Sequence, residues 1–438
     1  MAEILPFRGI RYDPERVDLS EVVTQPYDKI TPEMQEGYYR RSPHNYVRII
    51  LNKEPSERRY TEAAETLDRW LNERIMIRDA LPTIYAYYQD YHVEDRAELL
   101  SRKGFIALFK LAEYGKEILP HERTLSKPRE DRIKLMRATR ANLGQVFVLY
   151  SDPELAVNQL LDRAISGRAP LSAVDGFDPG TTHRLWPIQG ESLLEQIVAA
   201  MRDKTLFIAD GHHRYETALA YRDEMRAKRA ECPGPESYEN VMLTFVNMDD
   251  RGLTIFPTHR LIHELEKPDL QGLERRLSPY FELEHEKDRE RLLEELRRAA
   301  EAGEHAFGLY LQGLDGYYLL KLKDEAVMDE LVPDRLSCAS PEWRRLDVTI
   351  CHWLLLDKVF GIAPDAVEGR VDYKRSAQEA LELVAQGKEA AAILLNPTKV
   401  QEVREIAHNG EKMPQKSTDF YPKMLSGLVL NRLCSSES

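Results

Sequence analysis

Apolar residues recur along this chain with two periods, one typical of helices and one typical of strands. Residues 58–74 carry an apolar stripe at helical spacing, with Leu67 and Trp70 on it. Residues 83–111 contain two runs rich in aromatic and β-branched side chains on either side of a charged interval, which predicts an antiparallel pair of strands. Both kinds of element therefore occur early in the chain.

The centre of the chain predicts a strand, a tight turn and a helix in direct succession. Residues 206–209 are apolar, Asp210 and Gly211 follow, and a helical pattern runs from His212 to Met225. Next, residues 241–248 and 253–256 are predicted to form a hairpin that turns at an Asp-Asp-Arg-Gly sequence.

The last third of the chain alternates between predicted helices and strands. Residues 346–359 predict a strongly apolar helix, and the mixed-charge run 284–301 predicts a solvated helix with pairs four residues apart. The fold class expected from the whole pattern is α/β, in the sense of mixed α+β. A chain of 438 residues exceeds what one core usually supports. We predict an N-terminal segment at 1–82, a core domain at 83–264 and a C-terminal α/β domain at 265–438.

Composition narrows the class of function. Hydrophobic residues make up 42% and charged residues 31% of the chain, which is ordinary globular composition. The formal charge of −13 disfavours nucleic acid as a partner, because an acidic surface repels a phosphate backbone. Neither a signal sequence nor an apolar run of about 20 residues is present, so we expect no membrane partner and a cytoplasmic location. Four scattered cysteines form no CxxC pair.

The segment from Asp210 to Arg214 is the strongest candidate for chemistry. A helix that starts directly after a tight turn presents backbone N–H groups and the positive end of its dipole, and both attract an anion. Gly211 allows close approach of the backbone, while His212, His213 and Arg214 add donors. The alternative is an Asp N-cap followed by solvated polar residues. We favour a phosphate site.

Two further polar segments are candidates for the same chemistry. In the segment after Pro120, Glu122 offers a carboxylate that can act as a general base, with His121 beside it. Lys127 and Arg132 follow and can neutralise a transferring phosphate. In the C-terminal part of the chain, Lys416 and Ser417 offer phosphate contacts but lack the glycine-rich frame of a P-loop. Each of these groups can equally be a surface charge.

The histidines do not have the spacing of a metal site. The candidate histidines are His183, His212, His213 and His259. None of them belongs to an HExxH motif or to a regularly spaced set of His and Cys residues, so we predict no protein-bound metal. Mg²⁺ held by a few carboxylates together with substrate phosphates stays open, because it needs no such spacing. The carboxylates considered for it are Asp28, Asp210 and Asp249.

Several strings together resemble a bacterial and archaeal family catalogued as a domain of unknown function, number ten-fifteen. The resemblance runs almost from end to end of the chain. The strings are QPYDKI at Gln25, PHNYVRIIL at Pro43, HERT at His121, DRIKLMRAT at Asp131, THRLW at Thr182, ADGHHRYETALAY at Ala209, PTHRL at Pro257 and MPQKSTDFYPK at Met413.

The GHHR segment is in turn similar to the phosphate-binding turn of the ParB and sulfiredoxin superfamily, and above all to that of the free serine kinases. This resemblance implies a ParB/sulfiredoxin-like core with additional N- and C-terminal elements. It implies that Glu122 is the catalytic base and that Asp210 to Arg214 cradle the phosphates of ADP or ATP. Beyond the resemblance, we expect His121 and His213 to take part in catalysis, Lys127, Lys416 and Ser417 to complete the nucleotide site, and Tyr27 and Asp28 to contact the substrate.

Two hypotheses from different classes follow from these candidates. The first is a phosphotransferase that moves a phosphoryl group between free serine or O-phosphoserine, or a similar small hydroxy amino acid, and an adenine nucleotide. The second is a nucleotide-binding regulator that uses the same turn without chemistry. A ParB-like nuclease is disfavoured by the acidic charge and by the lack of a helix-turn-helix. The sequence leaves the oligomeric state open.

Overall fold

The chain of the computed structural model folds into two compact units. Among the described residues, the first unit contains those up to Thr254 and those from Pro422 onward, and the second contains those from Ile255 to Tyr421. The structure describes residues 2–93, 96–115, 117–120, 126–229, 234–265, 270–332, 339–363, 366–367 and 369–433. The first unit gives way to the second after Thr254, ten residues before the domain boundary predicted after residue 264. Residues 2–82, predicted as a separate segment, belong to the same unit as most of the predicted core domain.

The strands and helices follow one another along the whole chain. The strands are β1 Ile4–Leu5, β2 Ile10–Tyr12, β3 Met76–Arg78, β4 Ile84–Val93, β5 Arg96–Lys110, β6 Ile118–Pro120, β7 Ala141–Asn142, β8 Val146–Tyr150, β9 Leu171–Asp175, β10 Asp178–Ile188, β11 Leu206–Asp210, β12 Asn240–Asn247, β13 Thr254–Phe256, β14 His259–Ile262, β15 Phe281–Glu286, β16 Ala306–Leu311, β17 Tyr317–Leu322, β18 Val371–Lys374, β19 Ala391–Leu394, β20 Asp419–Tyr421 and β21 Asn431–Arg432. The α-helices are α1 Leu19–Val22, α2 Pro32–Arg41, α3 Val47–Ile50, α4 Arg58–Asn72, α5 Ser126–Thr139, α6 Ala156–Ile165, α7 Glu191–Met201, α8 His212–Ala227, α9 Leu270–Leu277, α10 Arg289–Ala302, α11 Val327–Leu331, α12 Pro341–Arg344, α13 Asp347–Ile350, α14 Ala377–Ala385 and α15 Val400–His408. A 3₁₀ turn spans Tyr27–Lys29 and a π-helix spans Cys351–Val359.

A mixed sheet is the centre of the first unit. Within the described residues it has nine strands in the order β6-β11-β8-β12-β5-β4-β10-β9, with β1 paired to β5. The pairs β6/β11 and β8/β12 are parallel and the others antiparallel. Antiparallel neighbours close in sequence, such as β4 and β5, need only short connections. The predicted pair at 83–111 is thus confirmed, although β5 also includes the charged interval as far back as Arg96.

The core of the first unit fills the two faces of this sheet. Every residue of β8 and of β12 is buried, as expected for strands with both faces covered. Phe105 and Phe245 stack across β5 and β12 with their ring centroids 4.8 Å apart. A second cluster packs α4 and the N-terminal strands around Trp70. Burial of these side chains fixes the register of the strands.

The parallel pair β6/β11 positions the polar turn at Asp210. Pro120 pairs with Ile208, so both strands end at the same edge of the sheet. Each is the last strand before a helix, α5 after β6 and α8 after β11, and these two helices contact each other. On its other side β11 is antiparallel to β8, which brings Phe147 opposite Asp210. The turn after β11 therefore lies beside residues that precede β8.

An antiparallel sheet is the centre of the second unit. Its order over the described residues is β15-β17-β16-β19-β14-β18. Helix α10 buries Leu292, Leu296 and Ala299 against it and turns its charged side chains outward. This spacing of three and four residues is that of an amphipathic helix.

Two sequence predictions about local structure are wrong, and a third is confirmed as a helix but of a different type over most of its length. The segments 241–248 and 253–256 do not form a hairpin, because β12 pairs with β5 and β8 while β13 pairs with β20. The run 284–301 is not one helix, because its first residues complete β15 and the helix starts only at Arg289. The apolar run 346–359 is a short α-helix that passes into the π-helix, where all but two side chains are buried.

The overall class is as predicted, since sheets and helices are interleaved along the chain in a mixed α+β arrangement. Among the described residues, no helix combines the length and the apolar character that a bilayer crossing requires.

Glycine at position 104 should be needed for the contact between β5 and β12. A Cβ there would lie 2.6 Å from the carbonyl oxygen of Phe245, and a backbone atom cannot move aside cheaply. We expect Gly104→Ala to lower the free energy of unfolding by about 1–3 kcal/mol, the usual cost of overpacking. Gly180→Ala in β10 is the control, because nothing lies within 4 Å of a Cβ there. Urea unfolding of both variants measures the difference, and equal stability of the two would contradict this packing.

Candidate functional site

The turn between β11 and α8 depends on a glycine with left-handed backbone. Gly211 has φ +90° and is the N-cap residue of α8, and it supplies no capping side chain. A residue with a Cβ rarely adopts this conformation. Gly211 thus lets the chain reverse from strand to helix with the first turn of α8 directly behind it, and its carbonyl accepts from Tyr215 N–H at 3.0 Å.

The side chain of Arg214 folds back over this turn. Its Nη2 donates to Asp210 Oδ2 at 2.5 Å, and its Nη1 donates to the carbonyl oxygen of Gln145. A methyl group on Gly211 would lie 2.9–3.1 Å from the guanidinium group, so only glycine leaves room for it. Asp210 is therefore the ion-pair partner of Arg214 and not the N-cap of the helix. The carboxylate holds the cation against the start of α8.

A pocket in the first unit opens beside Arg214. Tyr27 and Arg132 line it together with Arg214, and the ring of Tyr27 lies under the Arg132 guanidinium, 4.1 Å from centroid to Cζ. Arg132 is itself fixed by Asp131, whose Oδ2 accepts from Nε at 2.8 Å, and by the carbonyl oxygen of Ile50. Two guanidinium groups therefore face one pocket, each held by its own carboxylate.

The charged side chains of the turn affect the pKa of Tyr27. Burial raises the pKa of Tyr27, the guanidinium of Arg132 lowers it in part, and Arg214 and Asp210 contribute smaller opposing effects. The phenol therefore stays protonated at neutral pH and can donate a hydrogen bond. The 3₁₀ turn that carries Tyr27 and Asp28 thus belongs to the same electrostatic environment as the turn at Gly211.

The pocket is small and otherwise apolar. Its volume is about 60 Å³, far below the 300–1,000 Å³ of a pocket that encloses a whole ligand. Apolar side chains, among them Leu135, Met136 and Val241, form most of its wall, and Asn142, Thr217 and Ser426 add polar atoms. It is suited to hold one part of a larger molecule.

A buried carboxylate holds the segment that precedes Tyr27. Asp175, which is fully buried, accepts from the Tyr38 hydroxyl at 2.8 Å, from Gln25 Nε2 at 3.0 Å and from Arg41 Nη1 at 3.2 Å. The Tyr38 hydroxyl also accepts from Gln25 N–H at 3.0 Å. A buried charge is tolerated only with such partners. This network fixes the backbone at Gln25, two residues before Tyr27.

The structure brings some of the predicted site residues together in the first unit. Asp210, Gly211 and Arg214 form the turn, and Tyr27 lines the pocket beside it. Asp28 follows Tyr27 and is exposed. His212 is buried and His213 is half-buried in the first turn of α8. These assignments remain predictions as far as binding is concerned.

Other predicted residues belong to the second unit or lie outside the described residues. His121 and Glu122 lie outside them, and Lys127 is in the first turn of α5 with its side chain outside them. Lys416 and Ser417 belong to the second unit. There the Ser417 hydroxyl donates to the carbonyl oxygen of Pro414 at 2.6 Å, and the Lys416 carbonyl accepts from Arg260 Nη2 at 3.1 Å.

The histidines considered as metal ligands have other surroundings. His183 is fully buried with its Nδ1 2.7 Å from the Tyr87 hydroxyl, and burial lowers its pKa to about 3. Burial likewise lowers the pKa of His259 to about 3. Across the part of the chain that the structure describes, neither these two nor His212 and His213 belong to a group of three residues able to share an ion.

Sequence reasoning missed the residues that support Arg214 from the other side. Gly144 and Gln145 precede β8 and contact the guanidinium group, and Asn142 and Ser426 line the pocket. No local pattern marks these residues, because their role depends on the antiparallel pairing of β8 with β11. Only Gly144, as an isolated glycine before a strand, carries a weak signal of close backbone approach.

The family of the chain follows from a sequence comparison. The profile of the family described as Protein of unknown function (DUF1015) matches residues 4–349. The chain belongs to this family. The family match includes the turn at Gly211 and the segment at Tyr27. No curated protein matches the chain.

The solved structures found by comparison share little sequence with this family member. A free serine kinase mutant in complex with AMP is 15% identical, with 70% of this chain and 89% of that chain covered and a TM-score of 0.33. A conserved hypothetical protein from Pyrococcus furiosus is 15% identical, with 71% and 91% covered and a TM-score of 0.31. SbnI from Staphylococcus aureus with a C-terminal truncation is 13% identical, with 72% and 85% covered and a TM-score of 0.33. Such TM-scores do not establish a shared site.

Substitution of Gly211 by alanine, compared with a control glycine, should distinguish the effect of backbone strain from the effect on the predicted anion contacts. Gly211→Ala places a methyl group against the Arg214 guanidinium, whereas Gly190→Ala, at the N-cap of α7 with φ +106°, meets nothing within 4 Å. Both changes force a left-handed non-glycine residue at a cost of about 1–3 kcal/mol. We expect only Gly211→Ala to weaken ADP binding, by roughly tenfold or more, since hydrogen bonds to charged groups contribute about 1.5–3 kcal/mol. Calorimetric titration with ADP tests this, and equal affinity of the two variants would contradict it.

Proposed function

We propose that this protein is a phosphotransferase that binds an adenine nucleotide at the turn after β11. More specifically, we propose that it moves a phosphoryl group between the nucleotide and free serine or O-phosphoserine, or a similar small hydroxy amino acid. The observation that carries the proposal is the packing of the Arg214 guanidinium on Gly211 at the N-terminus of α8, beside a pocket that a second arginine lines.

Electrostatics support a phosphate at this turn. The N-terminal end of α8 carries partial positive charge, and Arg214 and Arg132 add guanidinium donors whose formal charges are balanced by Asp210 and Asp131. Asp210 and Asp131 hold these guanidinium groups in place before any ligand arrives. Such preorganised donors stabilise charge on a transferring phosphoryl group without further rearrangement. The apolar wall of the pocket suits a non-phosphate part of the ligand.

The proposed base is Glu122, on the strength of the HERT resemblance. It stands two residues after Pro120, which pairs with Ile208, and Ile208 stands two residues before Asp210. Glu122 therefore follows, in sequence, the strand that is parallel to β11.

The proposed step is a direct transfer. The serine Oγ forms a bond to the phosphorus as the bond from phosphorus to the nucleotide oxygen breaks, and the hydroxyl proton passes to the Glu122 carboxylate. In the opposite direction O-phosphoserine is the donor and the nucleotide the acceptor. Mg²⁺, if it takes part, would neutralise phosphate charge as in other phosphoryl transfers.

A direct assay tests the activity. Purified protein is incubated with Mg²⁺ and serine plus ADP or ATP, and in parallel with O-phosphoserine plus AMP or ADP, and products are followed by ³¹P NMR. The proposal expects O-phosphoserine to form or disappear in at least one combination. Nucleotide binding without transfer in every combination would favour the regulator instead, and the absence of both would refute the site.

Substitution of Glu122 should separate chemistry from binding. Glu122→Gln keeps the shape of the side chain and removes the base, so we expect turnover to fall by about 10²–10⁴-fold, the usual contribution of general base catalysis, with ADP affinity unchanged. Glu130→Gln, an exposed residue of α5, is the matched control and should keep full activity. Steady-state rates and ADP titration give both quantities. Full activity of Glu122→Gln would remove Glu122 from the mechanism.

A further inference from the structure

Three side chains from adjacent strands of the second unit meet at one end of its sheet. His263 follows β14, Asp372 lies in β18, and Glu389 stands two residues before β19. One donor atom from each lies within 4.8 Å of the others. Glu389 Oε2 is 2.9 Å from His263 Nδ1, and Asp372 Oδ1 is 3.7 Å from His263 Nε2.

We propose that His263, Asp372 and Glu389 form a binding site for a divalent transition metal of the Zn²⁺ type. This inference is independent of the nucleotide site and of the proposed transfer. One imidazole with two carboxylates suits Zn²⁺ better than Mg²⁺, which prefers oxygen ligands alone.

The backbone of the sheet holds the three residues in place. Strand β14 pairs with both β18 and β19, with Leu261 opposite Asp372 and Ile262 opposite Ala391. His263 lies two residues after Leu261, so both side chains project to the same face as Asp372. The pairing continues past the strand ends, since His263 N–H donates to Arg370 O at 3.1 Å and Ala390 N–H donates to Ile262 O at 2.8 Å. Asp372 thus lies on a strand, and His263 and Glu389 lie within two residues of strand ends, so the backbone of all three is anchored by the sheet.

Charge is the second argument. An imidazole must be neutral to bind a metal, and with a neutral ring these three side chains carry two negative charges and no positive one. Glu389 is only 9% exposed, and its one polar side-chain contact among the described residues is His263. A buried carboxylate is costly without a positive partner. A divalent cation would supply the two missing charges.

The distances fit three ligands of one ion after a small movement. Donor atoms bound to Zn²⁺ at about 2.0–2.2 Å lie roughly 3.4 Å apart, and one donor atom from each of the three side chains lies within 4.8 Å of the others. Glu389 and Asp372 face different ring nitrogens, so one carboxylate must move. The side chain of Asp372 is 64% exposed and can rotate at little cost. Three protein ligands leave an open position on the ion.

The test is metal titration of the full-length chain. Protein stripped with EDTA is titrated with Zn²⁺, and separately with Mg²⁺, by calorimetry. We expect one equivalent of Zn²⁺ to bind more tightly than Mg²⁺ and to raise the melting temperature. His263→Ala and Asp372→Asn should weaken this binding at least about tenfold, because even the loss of an outer hydrogen bond costs 10–100-fold.

His285→Ala is the matched control, since His285 is an exposed histidine in β15 of the same unit. It should bind Zn²⁺ as the unmodified chain does. If His263→Ala does not fold, Asp372→Asn decides the question because Asp372 is exposed. No Zn²⁺ binding by the unmodified chain, or unchanged affinity in both site variants, would overturn the proposal.

Discussion

The ion pair between Arg214 and Asp210 determines the arrangement of the candidate site. Asp210 is the last residue of a buried strand and Arg214 lies in the first turn of the following helix, so their contact spans the reversal at Gly211. The guanidinium group is also bound to the Gln145 carbonyl, which connects the turn to β8. An arginine that is fixed at three sides presents its charge at a defined place, which is the condition for recognising a phosphate.

The rest of the first unit supports this arrangement with two further carboxylates. Asp131 holds Arg132 over Tyr27, and Asp175 holds the backbone before Tyr27 through Gln25. These contacts join residues more than a hundred positions apart in the chain. The pocket is thus built on elements whose positions the sheet and its packed helices determine, and not on an isolated loop.

The sequence predicts most of the strands and helices because apolar residues recur regularly in the segments that are completely buried. The succession of β11 and α8 was predicted closely from such a segment. The hairpin after β12 was wrong because turn residues report a reversal and not the partner of a strand. The helix over residues 284–301 was placed too early because alternating charges are compatible with an edge strand as well as a helix. In the candidate site, Gly211 and Arg214 can be recognised from the neighbouring sequence alone. The contact from Gln145 and the meeting of His263 with Glu389 depend on sheet pairing, which one sequence does not contain.

The central claim is that the first turn of α8 and Arg214 bind a phosphate. A crystal structure of the full-length chain soaked with ADP tests this most directly. The account predicts electron density for a phosphate group within hydrogen-bond distance of the backbone N–H groups at the start of α8 and of the Arg214 guanidinium. Density for ADP elsewhere in the molecule, with the turn at Gly211 unoccupied, would contradict it.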